Sequence, residues 1–186
     1  MEESVALRSY FQAHKQEMID TLAAWVAVPS VRGDAKPGMP YGAEPARMLK
    51  LALEQCAALG FQTESVANCM GSVELNDLPA ALAVLCHLDV VPAGEGWSQD
   101  PFVLIYRQDT DRLYGRGAID NKGPAVAALY AMRAIRELHI PMKHGVRLLL
   151  GTDEENGSSD LTAYLQQRTM PPMVFTPDGD YPVINI

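Results

Sequence analysis

Ala83-Val84-Leu85-Cys86 running into His87-Leu88-Asp89, Gly117-Ala118-Ile119 running into Asp120-Asn121-Lys122-Gly123, and Val146-Arg147-Leu148-Leu149-Leu150 running into Gly151-Thr152-Asp153-Glu154-Glu155 decide how this chain folds. Each is an apolar run that ends in residues of metal-ligand type. In an open α/β sheet, ligands collect at the carboxyl ends of parallel strands. Three such ends carrying His, Asp and Glu-Glu place one imidazole and several carboxylates around a common crevice, which is the chemistry of a metal site.

Outward from these runs, strands and helices alternate. Ala80 to Cys86 is short and nearly all apolar, as expected of a strand covered on both faces, and Val146 to Leu150 reads the same way. Between them, Pro124 opens an alanine-rich helix over 125–138. Upstream, Phe11, Met18, Leu22 and Trp25 fall on one face of an amphipathic helix within residues 3–28, which Pro29 ends. A glycine- and proline-rich loop follows from Gly33 to Gly42, of a length usual for functional or mobile loops. A second helix starts near Pro45, buries Leu49, Leu53 and Cys56, and stops at Gly60. Strand pairs are expected for 61–67 with 72–75 and for 102–106 with 112–114. Ser158 to Asp160 is expected to cap a helix through Arg168, and Val174 to Thr176 to form a last short strand reaching Asp178. The alternation predicts an α/β fold, a three-layer sandwich with a mainly parallel sheet.

The chain has 186 residues, the scale of one domain. A net charge of −8 argues against a nucleic-acid or anionic-membrane partner, either of which calls for a basic face. No basic segment followed by an apolar one opens the chain, and no apolar run approaches ~18 residues. Cys56, Cys69 and Cys86 are odd in number and lack CxxC spacing, so reduced thiols and a cytoplasmic location are expected. A dinucleotide fingerprint, a P-loop and a Gly-x-Ser-x-Gly elbow are all missing from the sequence.

Singly, the candidate residues have plain explanations. His87 fits a satisfied core histidine, Asp89 a turn-forming residue, and Asp120 a helix N-cap followed by Lys122-Gly123 as loop. Glu154 and Glu155 fit two solvated carboxylates. At a strand end, however, Asp89 can take the second ring N–H of a ligating His87, and paired acids suit one ligand and one general base. His14, His139 and His144 lie away from strand ends and read as surface residues. Cys86 reads as a small buried hydrophobe with a minor soft-ligand alternative.

The order His-x-Asp, Asp, Glu-Glu, Asp is far more specific than any member. His87-Leu88-Asp89-Val90-Val91-Pro92, Gly94-Glu95-Gly96-Trp97, the run from Tyr114 through Asp120 to Pro124, Gly151-Thr152-Asp153-Glu154-Glu155 and Pro177-Asp178 together resemble the M20 co-catalytic zinc peptidases, and within them the PepV-like (Xaa-His type) bacterial dipeptidases. The resemblance spans nearly the whole chain. It implies a two-zinc site, with manganese or cobalt as alternative metals. In that site Asp120 bridges both ions, His87 and Asp178 complete one, and Glu155 holds the other. Glu154 is then the general base on the metal-bridging water, Asp89 orients His87, and the Asp120–Asn121 peptide bond is cis. The implied substrate is a dipeptide, or an N-acyl amino acid if the chain resembles the deacylases of the family instead.

Two departures from the family pattern stand out. Cys86 replaces the more usual glycine. Length is the larger one: the family pattern needs a further metal-binding histidine downstream and a separate lid domain. Residues 1–186 are therefore expected to be the N-terminal portion of a catalytic domain, weakly active or inactive alone and prone to self-association. A non-catalytic metal-binding or assembly fragment is the reading from outside the hydrolases.

Overall fold

The computed structural model describes residues 2–179. Its centre is a five-stranded sheet formed by β1 (Gln62–Val66), β2 (Met70–Glu74), β3 (Ala80–His87), β6 (Gly145–Gly151) and β7 (Met173–Phe175), in the order β1-β2-β6-β3-β7. β3 pairs in parallel with both β6 and β7, whereas β2 pairs antiparallel with β1 and β6. Four strands thus point one way and β2 alone the other, so the sheet is mainly parallel. A separate hairpin joins β4 (Ile105–Arg107) to β5 (Arg112–Tyr114).

Strand alternation explains the layers. Leu82, Val84 and Cys86 of β3, with Val146, Leu148 and Leu150 of β6, face one side of the sheet, where they join the large core. α2 (Lys15–Val26), α3 (Ala43–Ala58) and α4 (Lys122–Glu137) close that side with Leu22, Trp25, Met48, Leu49, Leu129 and Tyr130. Fully burying one such side chain stabilises by about 1.5–3 kcal/mol. α1 (Glu2–Ala13) packs on α2 and α4 from outside. On the opposite face Ala83 and Leu149 meet Val66, Met70 and Tyr164, the last from α5 (Ser159–Leu165). Helices, sheet and helix make the three expected layers. Among the described residues, no helix is long and apolar enough to cross a membrane.

Several local expectations are corrected. The single helix over residues 3–28 is two helices, broken at His14, whose φ of −100° and ψ of 8° leave the helical region. Residues 102–104 do not join the hairpin, because Asp100 and Pro101 turn the chain: Asp100 accepts the Phe102 N–H through its side chain and the Val103 N–H through its carbonyl. α5 ends at Leu165, three residues short of Arg168, whose guanidinium pairs with Glu64. Ser158 makes no side-chain cap there. Lys122 is the first residue of α4, not loop, and is completely buried.

The register places the chemistry. His87 at the end of β3 lies level with Gly151 at the end of β6, and Val84 lies level with Phe175 of β7. The loops carrying Asp89, Glu154-Glu155 and Asp178 therefore leave the sheet at one edge.

Candidate metal centre

His87 is the hub. Its ring is almost fully buried, and Nε2 lies 2.9 Å from Asp120 Oδ1, 3.3 Å from Asp178 Oδ2 and 3.9 Å from Glu154 Oε2. The other nitrogen, Nδ1, is 3.1 Å from the Asp89 carbonyl oxygen and 3.4 Å from Asp89 Oδ1. Either acceptor fixes a proton on Nδ1 and leaves Nε2 to face the carboxylates. Two overlapping groups of three follow, His87 with Glu154 and Asp178, and His87 with Asp120 and Glu155. Within each group the ligand atoms lie within 4.8 Å of one another.

The loops behind these residues are held by polar bonds that the sequence does not advertise. Asp89 is completely buried. Its two carboxylate oxygens accept the main-chain N–H groups of Glu154 at 3.2 Å and Glu155 at 3.1 Å. One side chain therefore braces the histidine and fixes the paired glutamates. The turn before the glutamates is fastened by Asp160, whose Oδ2 accepts the Thr152 N–H at 2.6 Å and the Asp153 N–H at 3.0 Å. Gly151 is required there, because a Cβ would lie 2.6 Å from Asp160 Oδ2. Asp153, completely buried, accepts from the Ser159 N–H and hydroxyl at the start of α5 and pairs with Arg32.

Asp120 stands on a turn between β5 and α4, and its peptide bond to Asn121 is cis, as the resemblance implies. The turn folds back on itself: the Lys122 N–H donates to the Gly117 carbonyl at 3.0 Å, and a Cβ on Gly123 would lie 2.0 Å from the Ala118 carbonyl oxygen. The Lys122 ammonium reaches across the core to the carbonyls of Trp25 at 2.9 Å and Val28 at 2.7 Å. Two residues further on, the Ser30 hydroxyl donates to the Leu88 carbonyl and the Val90 N–H donates to the Ser30 carbonyl. The segment 28–32 thus touches all three loops: the Asp120 turn through Lys122, the Asp89 loop through Ser30, and the Glu154 turn through Arg32 and Asp153.

Charge follows geometry. Burial alone would lower the His87 pKa, but Asp89 first, then Asp178 and Asp120, outweigh it and push the ring up to about 9 from its ordinary 6.5. Burial raises the carboxyl of Glu154, and it raises that of Glu155 with Asp120 as second cause; His87 opposes both shifts. Four carboxylates around one imidazole form a net-negative set of nitrogen and oxygen donors. That set fits a divalent cation.

All six candidate residues named from sequence sit at this edge. His14, His139 and His144 do not join them. Cys86 packs into the core on the helix side of β3, opposite to His87, and burial pushes its thiol up to about 12, so it offers no thiolate here. Sequence reading missed Arg32, Asn121, Lys122, Asp153 and Asp160 as supports. Only Asp153 and Asp160, acids flanking the paired glutamates, carried a local hint. A cavity of about 230 Å³ opens beside the cluster, with His87, Glu154, Asp160, Leu161 and Asp178 among its walls. A larger hollow of about 420 Å³, between Trp97 and the β4–β5 hairpin, contains none of the cluster residues.

The chain is similar to known proteins over most of its length. The sequence model described as Peptidase family M20/M25/M40 matches residues 83–184. A Bacillus subtilis protein, YtjP, provisionally designated a dipeptidase, is 38% identical over 92% of this chain and 37% of its own length. The crystal structure of human carnosine dipeptidase 1 superposes with a TM-score of 0.74 at 29% identity, covering 90% of this chain and 38% of that one. The Saccharomyces cerevisiae dipeptidase Dug1p shares the fold, with a TM-score of 0.76 at 20% identity over 90% of this chain and 38% of that one. The chain spans little more than a third of the length of the relatives it matches.

Proposed function

The chain belongs to peptidase family M20/M25/M40, and on that footing we propose that its histidine-and-carboxylate cluster binds two zinc ions and serves hydrolysis of the peptide bond of dipeptides. The observation that carries the reading is His87: a buried ring braced at Nδ1 by Asp89, with Nε2 turned toward Asp120, Asp178 and Glu154. Asp120 would be the shared ligand, His87 and Asp178 would hold one ion, and Glu155 would hold the other. Manganese or cobalt would satisfy the same donors. Bound ions would supply Lewis-acid polarisation of the peptide carbonyl and bring the pKa of water down to about 7.

The chain's own residues do the rest. Glu154 is the general base. Its side chain is half exposed on the open side of the cluster, and burial raises its pKa, which brings it nearer neutral pH. It takes a proton from the attacking water and returns it to the departing amine. Asp89 holds the His87 tautomer and, through the Glu154 and Glu155 N–H groups, the spacing between base and ligand. The chain's similarity to dipeptidases supports a dipeptide as substrate.

Zinc titration by calorimetry, run beside hydrolysis assays on dipeptides and N-acetyl amino acids, tests the reading. For this chain we expect one tight equivalent, a weaker second and little turnover. Among the described residues, one ion would have three protein ligands, the usual catalytic number, and the other would have only Glu155 and the shared Asp120. No zinc binding would refute the metal reading. Two tight equivalents with rapid dipeptide turnover would refute the ligand division, and turnover confined to N-acetyl amino acids would make the protein a deacylase.

A further inference from the structure

We propose that Asn121 is a positioning residue, tying the Asp120 turn to the strand end that carries Asp178 and thereby setting where the Asp178 carboxylate sits beside His87. This rests on the metal reading above. Asn121 is completely buried, and its Nδ2 donates to the Pro177 carbonyl at 3.1 Å across 56 positions of sequence. Among the described residues this is the only side-chain hydrogen bond that reaches 176–179. β7 gives little other guidance: it is three residues long, pairs with β3 alone, and leaves Met173, Val174 and Phe175 about half exposed. The next residue after the tied carbonyl is Asp178, whose Oδ2 stands 3.3 Å from His87 Nε2.

The rest of the carboxamide strengthens the case. Asn121 Oδ1 is buried without a partner among the described residues. The half of the amide with a partner is the half that spans two loops. Asp120 and Asp178 then approach the same ring nitrogen from opposite loops joined by one bond. Loss of that bond should loosen Asp178 and leave the contacts of Asp120 and Glu155 in place.

The test is a double-mutant cycle in zinc affinity on the 186-residue chain, with Asn121→Ala and the milder Asn121→Ser, each made alone and with Asp178→Asn. Glu155→Gln serves as the control background. We expect each Asn121 variant to weaken the tight equivalent about 5- to 10-fold, the scale of one hydrogen bond. The effect should nearly vanish in Asp178→Asn and persist in Glu155→Gln. An equal effect in all three backgrounds, or none in the wild type, would overturn the proposal while leaving the metal reading standing. Absence of zinc binding by the wild type would overturn both. Should the variants fail to fold, a through-hydrogen-bond NMR correlation in the wild-type chain from Asn121 Nδ2–H to the Pro177 carbonyl carbon decides. Its presence in the zinc-loaded chain supports the tie, and its absence overturns it.

Discussion

Replacing Asp89 by Asn should be among the most damaging isosteric changes available to this chain. Asp89 is completely buried and accepts from the Glu154 N–H with one oxygen and the Glu155 N–H with the other, beside His87 Nδ1. Asn has one acceptor oxygen, so its NH₂ must face one of the two main-chain N–H groups. That leaves a buried donor unpaired, at a cost of about 1–3 kcal/mol. The His87 Nδ1 hydrogen bond to the Asp89 carbonyl would stay, but the buried ring would also lose the carboxylate charge 3.4 Å away. The loss is at least about 1–3 kcal/mol, or roughly 2–12 °C in Tm for a chain of this size. The assay is thermal unfolding by circular dichroism at pH 7 with a chelator, alongside NMR titration of the His87 ring. The ring should titrate well below the wild-type value of about 9, because burial then lowers its pKa with one carboxylate fewer to oppose it. A Tm within about 2 °C of wild type together with an unchanged His87 titration would refute the bracing role.

Further outcomes follow from the same geometry. Glu154→Gln should keep zinc affinity within a few-fold while an active form of the enzyme loses at least ~10²–10⁴ in rate; loss of zinc with Glu154→Gln but not with Glu155→Gln would reverse the two roles. In chelator, the His87 contribution to stability should fall as pH rises, opposed by buried Lys122, which desolvation pushes down to about 7 and whose contribution grows as pH climbs from there. The folded chain holds the His87 proton to about 9 against an ordinary 6.5, so that contribution is complete below pH 6.5 and gone above about 9. The raised Glu154 and Glu155 add in the same direction from their own, lower range. A His87 ring that titrates near 6.5 by NMR would contradict this, and zinc affinity, which needs the neutral ring, should climb over the same window. Arg32→Ala should cost about 1–2 kcal/mol, since buried Asp153 keeps its Ser159 donors while losing a half-exposed cation. Denaturant unfolding measures it, and no change would make the pair incidental.

What the sequence made legible was periodic or punctuated. The apolar runs of β3 and β6, the turn at Asp120 and the ligand-type residues at each strand end are local patterns, and the resemblance supplied their order. The supports were not legible. Lys122 reads as a solvated loop residue because nothing local announces that its ammonium will find two carbonyls at the end of α2. Asp160 looked like part of a helix cap, yet it fastens the turn eight residues before it. The break at His14 carries neither glycine nor proline. Phe102 and Val103 have strand-like side chains, and the Asp100 turn overrides that preference. Each miss is a tertiary hydrogen bond or packing demand that outweighs a local propensity.

The spacing of the cluster along the chain has a thermodynamic consequence. His87 and Asp120 are 33 positions apart, and only Glu154 and Glu155 are neighbours. The unfolded chain therefore presents scattered single donors and no chelate, so a cation gains almost nothing from binding it. Whatever free energy a cation releases on the folded cluster appears in full as resistance to unfolding, about 2.7 kcal/mol at a free concentration one hundred times Kd. Metal supply would then govern how long this chain survives in its native form as directly as it governs any chemistry at the site.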